Sequence, residues 1–398
     1  MEPKIRYNGY TNKWDDVCLN DIVSTAGIKN RENLPLVSFS ITNDQGFVPQ
    51  DDKFENGGTM RDANKSMYYI VSPKTFAYNP ARINVGSIGY YDLEKDVIIS
   101  SLYVVFKTDQ EKCDDYYFLQ WFKSDKFKRL IEQYQEGGVR LYFFYDKLCK
   151  CHVHIPSKEE QHKISSYFRV LDFKLQASAK KLESLKKLKS ASLVAMFPQN
   201  GESMPKVRFK GFEGEWIIKS FKELYKRSSI KNDLTYDSSK IISVANMYFK
   251  EDNMNTDEAY LLTYNVMKLG DIAFEGNKSK SFAHGRFVEN SIGNGIVSHV
   301  FVVFSPLNED YDINFWKYYI NNEQVMGSKL VRCTKSSTMM TDLVVDDFLK
   351  ETILVPSLEE QQEVGRYFAT LDRKIALETA RLEKLKQIKL ACLDKMFV

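Results

Sequence analysis

The segment that most constrains this chain is written twice. "EEQHKISSYFRVLDFKLQ" begins at Glu159 and "EEQQEVGRYFATLDRKIA" begins at Glu359. Aligned without a gap from Pro156 to Phe197 and from Pro356 to Phe397, the copies agree at 19 of 42 positions, among them Pro-Ser, Glu-Glu-Gln, Tyr-Phe, Leu-Asp and the closing Met-Phe. Unrelated helices matched on composition alone would share roughly a tenth, so one unit has been duplicated. The likeness reaches beyond the helices. "PKIRYNGYTNKW" from Pro3 and "PKVRFKGFEGEW" from Pro205 share Pro, Lys, Arg, Gly and Trp at the same spacing. "DVIISSLYVVF" (Asp96 to Phe106) parallels "NGIVSHVFVVF" (Asn294 to Phe304), with Ser100 opposite Ser298.

The chain therefore divides into a globular part (1–155), a repeated long helix (156–197), a linker (198–204), a second globular part (205–355) and a second long helix (356–398). Pro198, Gly201 and Pro205 end the first helix and mark the linker. Each globular part reads as α+β. "VIISSLYVVF" and "GIVSHVFVVF" have the β-branched content of buried strands. Helical stretches with aromatics on one face follow, at Asp115 to Tyr134 and Ile313 to Leu330.

The repeated segment is a different object. Ile164, Phe168, Leu171, Leu175, Ser178, Leu182, Leu185, Lys189, Ser192 and Met196 follow one another in steps of four and three. Val364, Phe368, Leu371, Ile375, Leu382, Leu385, Cys392 and Met396 occupy the same seam in the second copy. Such steps sustained over five heptads mark a coiled coil. From Glu159 to Met196 the helix would run about 57 Å. Ser157 is placed to cap it, Glu159 and Glu160 sit in its positive first turn, and Lys186, Lys187 and Lys189 lie toward its negative end. One long helix cannot bury its seam against a small domain alone. Two in one chain can pair antiparallel and hold two similar heads apart, and pairing in a homodimer is the alternative.

Composition narrows the class. With 398 residues, 43% hydrophobic and 13% aromatic, the chain can build more than one core. Its 56 basic and 53 acidic residues nearly balance, so a basic surface must come from arrangement. No signal-like apolar core opens the sequence and no run of 18 apolar residues occurs, so no membrane span is expected. Cys18, Cys113, Cys149, Cys151, Cys333 and Cys392 show no framework spacing, which fits a reduced, cytoplasmic protein.

The pattern Pro-x-x-Glu-Glu-Gln…Tyr-Phe…Leu-Asp…Leu-x-x-Leu-Lys…Met-Phe, written twice behind two dissimilar heads, resembles the specificity subunit of type I restriction-modification systems, and the resemblance covers essentially the whole chain. It implies two target recognition domains in a pseudo-twofold repeat, reading the two halves of a split asymmetric site in double-stranded DNA, separated by long helices paired as an antiparallel coiled coil. It implies no catalytic site and no cofactor on this chain. Two adenine-methyltransferase subunits and translocating restriction subunits would be the partners, and S-adenosylmethionine, ATP and Mg would reside on them. A type IIB-like specificity component and a coiled-coil scaffold without a DNA role remain the alternatives. The residues agree independently: similar but non-identical heads suit two different half-sites, and Lys29–Tyr68 and Ser228–Leu261 do not align although the helices do.

Base edges and phosphates are read by hydrogen-bonding side chains, so loops rich in them are the candidates. In the second head "EGNKSKSFAHGR" gathers Asn277, Lys278, Ser279, Lys280, His284 and Arg286. The matching first-head loop "YNPARINVGSIGYY" offers Asn79, Arg82, Asn84 and Ser87. A second pair precedes each long helix: "EGGVRLYFF" with Arg140, and "VRCTKSSTMM" with Arg332, Lys335 and Ser336. Three motifs are set aside. "YNPAR" lacks the second Pro and the aromatic of the methyltransferase amine-binding motif. "CKCHVH" packs four ligand types too tightly for one tetrahedral zinc, and reads as a strand with Cys149, Cys151 and Val153 on one face. "KKLESLKKLK" reads as the solvated flank of the coiled coil.

Overall fold

The computed structural model describes residues 2–50, 64–199, 201–251, 257–307, 311–336 and 340–398. The chain forms two compact units that do not follow its linear order. One is Met1–Ala179 together with Ala380–Val398, and the other is Lys180–Thr379.

The first unit is built on a four-stranded antiparallel sheet in the order Val23–Thr25, Val104–Thr108, Thr75–Tyr78, Ile88–Tyr91. Helices Asp115–Trp121 and Asp125–Tyr134 cover it. The second unit repeats this order with Tyr225–Ser228, Val302–Pro306, Ile272–Glu275 and Arg286–Glu289, under helices Ile313–Tyr319 and Glu323–Cys333. Aromatic rings fill both interfaces. Phe76 meets Phe122 edge-on at 5.6 Å, and Tyr225 meets Trp316 edge-on at 5.8 Å.

Three expectations change in detail. Each continuous β-branched run is two strands, not one: Val97–Ile99 and Val104–Thr108, then Gly295–Val297 and Val302–Pro306. The break is a turn closed by Tyr103 N–H donating to Ser100 O and by Phe301 N–H donating to Ser298 O. Each helical stretch is likewise two helices, and Asn322 caps the second of its pair by accepting from Gln324 N–H at 3.0 Å. "CKCHVH" becomes a strand only from His152; Cys149 closes the short helix Tyr145–Leu148.

The heads differ where their sequences fail to align. The first unit adds a five-stranded sheet containing Ser38–Thr42 and Gly46–Pro49. The second instead has two two-stranded pairs, Ile242–Ser243 with Tyr248–Phe249 and Asn265–Met267 with Gly295–Val297, joined by a single bridge between Ile241 and Ile296.

Helices Lys158–Ala195 and Leu358–Lys395 begin on the expected caps, with Ser157 and Ser357 side chains accepting from the backbone N–H of Glu160 and Glu360. Ile164, Phe168, Leu171, Leu182, Val364, Phe368 and Leu371 are buried; Leu175, Leu185, Ile375, Leu382 and Leu385 are half-buried. Inside each unit the start of one long helix meets the end of the other, running antiparallel. In the first unit Phe168 stacks on Phe397, and Lys389 pairs with Asp172 at 2.5 Å. In the second Phe368 stacks on Phe197, and Lys189 pairs with Asp372 at 2.5 Å.

The duplicated residues build these two junctions. Arg6 grips buried Glu160 with two bonds of 2.8 Å, as Arg208 grips Glu360 at 2.7 and 2.6 Å. Gln161 and Gln361 accept from the backbone N–H of Asp114 and Asp312, the caps of the first covering helices. Gly365 is small by necessity, since a Cβ there would lie 2.3 Å from the Asp312 carboxylate.

Candidate nucleic-acid interface

In the first unit the loop between Thr75–Tyr78 and Ile88–Tyr91 divides its candidates by role. Asn79 is half-buried and its Oδ1 accepts from Ala81 N–H at 3.0 Å. Ser87 is buried and donates to Ile41 O at 3.2 Å. These two shape the loop, and Arg82 and Asn84 are exposed on it. Arg140 lies on a tight hairpin in which Glu136 and Tyr142 exchange backbone hydrogen bonds of 2.9 and 2.8 Å. Gly137 has φ of 136°, and a Cβ there would lie 2.1 Å from Arg140 O, so the turn depends on glycine. Phe143, fully buried, donates its N–H to Pro80 O at 3.0 Å and so joins hairpin to loop. The "YNPAR" backbone is therefore occupied in this joint.

The second unit joins its two candidate segments in the same way. Thr341 N–H donates to Gly276 O at 2.8 Å, and Lys278 Nζ donates to Ser336 Oγ at 2.7 Å. The strands Thr334–Ser336 and Thr341–Leu343 form the hairpin, and residues 337–339 of the "VRCTKSSTMM" stretch lie outside the described residues. Asn277 bridges Met340 along the backbone. Ser279 and Phe282 close a small turn by exchanging backbone bonds. His284 is half-buried beside it.

The cations separate into committed and open ones. Arg286 is held by buried Glu275 at 2.7 Å and by Ala245 O at 2.8 Å. Arg332 is bidentate to Glu351 at 2.7 and 2.6 Å. Arg82, Arg140, Lys280 and Lys335 are exposed and have no side-chain partner among the described residues. In "KKLESLKKLK", Lys181, Lys187 and Lys189 pair with Glu378, Glu183 and Asp372, consistent with a helix flank.

Each loop also borders a cleft. In the first unit a cleft of about 720 Å3 is lined by Asn84 together with Lys123, Lys128 and Lys386. In the second, one of about 480 Å3 is lined by Arg286 with Lys317, Asn321 and Gln324. Sequence reasoning missed these residues, because each is brought to its loop by packing of a covering helix and a long-helix end. The one local signal was the charged break "FKSDKFKR" between the first unit's covering helices.

No group of three or more His, Cys, Asp or Glu side chains is arranged to hold a metal among the described residues. Burial pushes the Cys151 and Cys333 thiols up to about 12, which leaves them protonated and unreactive near neutral pH. No helix among the described residues is long and apolar enough to cross a membrane.

The fold is similar to the S subunit of a type I restriction-modification system from M. genitalium, at 15% identity and a TM-score of 0.58, covering 100% of this chain and 99% of that one. A chain solved in work on complex assembly and conformational transition of the type I R-M system is similar at 13% identity and a TM-score of 0.53, covering 97% of this chain and 98% of that one. No curated protein matches. A family described as the type I restriction modification DNA specificity domain matches twice, over residues 12–187 and 214–387. The chain accordingly belongs to the type I restriction-modification DNA specificity family, as a specificity subunit carrying two such domains.

Proposed function

We propose that each unit reads one half of a split, asymmetric DNA site through the joined loop and hairpin described above, and that this chain performs no chemistry itself. The observation that carries this reading is the repeated joint. In both units a backbone bond ties the loop to the hairpin, and in both it leaves uncommitted cations exposed on the pair. Arg82, Asn84 and Arg140 would serve the first half-site; Lys278, Lys280, Lys335 and Ser336 would serve the second. Arg286 and Arg332, held by carboxylates, would hold the loops in shape. The shared four-stranded sheet supplies a common frame and the unlike accessory sheets supply different readings. The lysine-lined cleft of the first unit would take phosphate, fixing register without reading sequence.

Two methyltransferase subunits would flip adenine within the bound site, and restriction subunits would translocate and cut. S-adenosylmethionine, ATP and Mg belong on those partners. An assembly that acts on chromosomal DNA would reside in the cytoplasm. A type IIB-like assembly and a scaffold without a DNA role are not favoured by membership of this family.

The test is a genome-wide adenine-methylation map of the host with and without this chain, the partners left intact. Loss of methylation from one split, asymmetric motif is the expected result. Identical maps, from a host whose methyltransferase subunits are active, would overturn the reading.

A further inference from the structure

We propose, resting on the DNA-specificity reading above, that the loop 137–141 of the first unit, closed by the Glu136–Tyr142 bridge, is a base-reading tip that enters the major groove. Arg140 takes a guanine through its N7 and O6, and Val139 covers the methyl group of a neighbouring thymine. The major groove is wide enough to admit such a tip. Arginine on guanine is the commonest specific contact there, and apolar side chains identify the thymine methyl.

Four observations carry this. Val139 is 105% exposed, so the fold gains nothing from its apolar character, and Leu141 beside it is 42% exposed. Arg140 next to them is exposed and has no carboxylate partner among the described residues. The nearby acid, Glu136, is engaged by Lys147 at 2.7 Å, an ammonium it shares with Asp146 at 3.2 Å, and so it is not the partner of Arg140. The backbone presenting these side chains is fixed: the Glu136–Tyr142 pair, the glycine-only turn at Gly137 and the Phe143–Pro80 bond leave the tip little freedom to lose on binding. Below the tip, Tyr142 and Phe144 stack 5.4 Å apart at an interplanar angle of 3°, stiffening the stem.

The second unit carries different chemistry at the same place. Its hairpin presents Lys335, Ser336 and Asp342, with Lys278 drawn alongside. An apolar-guanidinium tip in the first unit and hydroxyl and ammonium groups on the second unit's strands suit two unlike half-sites.

The experiment uses the complete chain assembled with its methyltransferase subunits, scored on a library of duplexes randomised through the recognition site. For Arg140→Ala, preference for one G·C pair in one half-site falls roughly ten- to a hundred-fold, while every other position is unchanged. Arg140→Lys keeps the charge and loses the planar fork, so it relaxes the same position with little change in salt dependence. Val139→Ser relaxes the adjoining pair and no other. Both side chains are exposed, so thermal unfolding of the variants should match the wild type. If Arg140→Ala instead weakens all sequences alike and flattens the salt dependence, Arg140 touches phosphate and the assignment fails. An unaltered motif also overturns it. A wild-type complex with no sequence preference would sink the specificity reading itself, an outcome separable from either of these.

Discussion

Glu289 in the second unit is 1% exposed, and its Oε1 has no hydrogen-bond partner among the described residues. Its other oxygen accepts from the Tyr311 hydroxyl at 2.7 Å, and Tyr311 in turn lies 3.0 Å from the Tyr225 hydroxyl. Burial raises the carboxyl well above its usual value; the Tyr311 bond opposes this, the Asp312 charge adds to it and the Lys317 charge subtracts. The folded state therefore keeps a proton that the unfolded chain releases near pH 4.5. Stability from this group is complete below that pH and is lost as pH rises toward the elevated folded value, at about 1.4 kcal/mol per pH unit within the window. Glu289→Gln mimics the protonated form. It should match the wild type at pH 4.5 and exceed it in thermal unfolding midpoint at pH 8. Parallel melting curves for the two proteins across that range would mean the carboxyl is not held protonated. None of this was legible in "FVEN", because a strand glutamate looks solvent-facing until the tyrosines that enclose it are placed. The same limit applied at the interface, where Arg286 and Arg332 looked as available as Arg140. Their partners Glu275 and Glu351 stand 11 and 19 residues away and meet them only in the fold.

The long helices were the most legible part of the chain, since their period is a local property of sequence. What periodicity could not say is why particular polar residues recur. Arg6 lies far from the helix in sequence, yet its guanidinium is only 13% exposed against a Glu160 side chain 1% exposed. Such a pair costs desolvation to form, but removing one member leaves the other charge buried and alone. Arg6→Ala should lower stability of the first unit by about 3–5 kcal/mol, and Arg208→Ala should do the same in the second. Urea unfolding followed by a fluorescent probe in each unit would measure both. Equal loss in the two units from either variant would show that they unfold as one body. A value below about 1 kcal/mol would place both pairs among exposed ion pairs. The strands were less legible than the helices for a related reason. The turns at Ser100 and Ser298 contain neither glycine nor proline, so continuous β-branched runs hid a change of sheet.

Duplication in the sequence foretold two heads and two helices, but not that the unit boundaries would fall inside the long helices, so that the first unit takes its last segment from the end of the second helix and the second unit opens with the end of the first. Ala380–Val398 completes the first unit, and residues following Lys180 begin the second. The reason is physical: the seam at each helix start needs an antiparallel partner, and the end of the other helix supplies it. The two junctions correspond closely. Val207 N–H donates to Ala195 O at 2.9 Å where the chain is continuous through the linker, and Ile5 N–H donates to Lys395 O at 2.9 Å where it is not. Tyr367 with Ser192 at 2.8 Å is matched by Tyr167 with Cys392 at 3.4 Å. The segment 198–204 therefore serves as a tether between positions that packing already brings together, and a tether raises local concentration without adding a contact. A permuted chain follows from this. Joining Val398 to Glu2 through a copy of residues 198–204 and opening the original linker at residue 200 should preserve both units. The expected result is a folded chain whose urea midpoint lies close to the wild type's and whose methylation motif, in the presence of the same partners, is unchanged. If the permuted chain aggregates while a control with the extra segment and an unopened linker folds, covalent continuity at 198–204 is required, and the junctions are not equivalent.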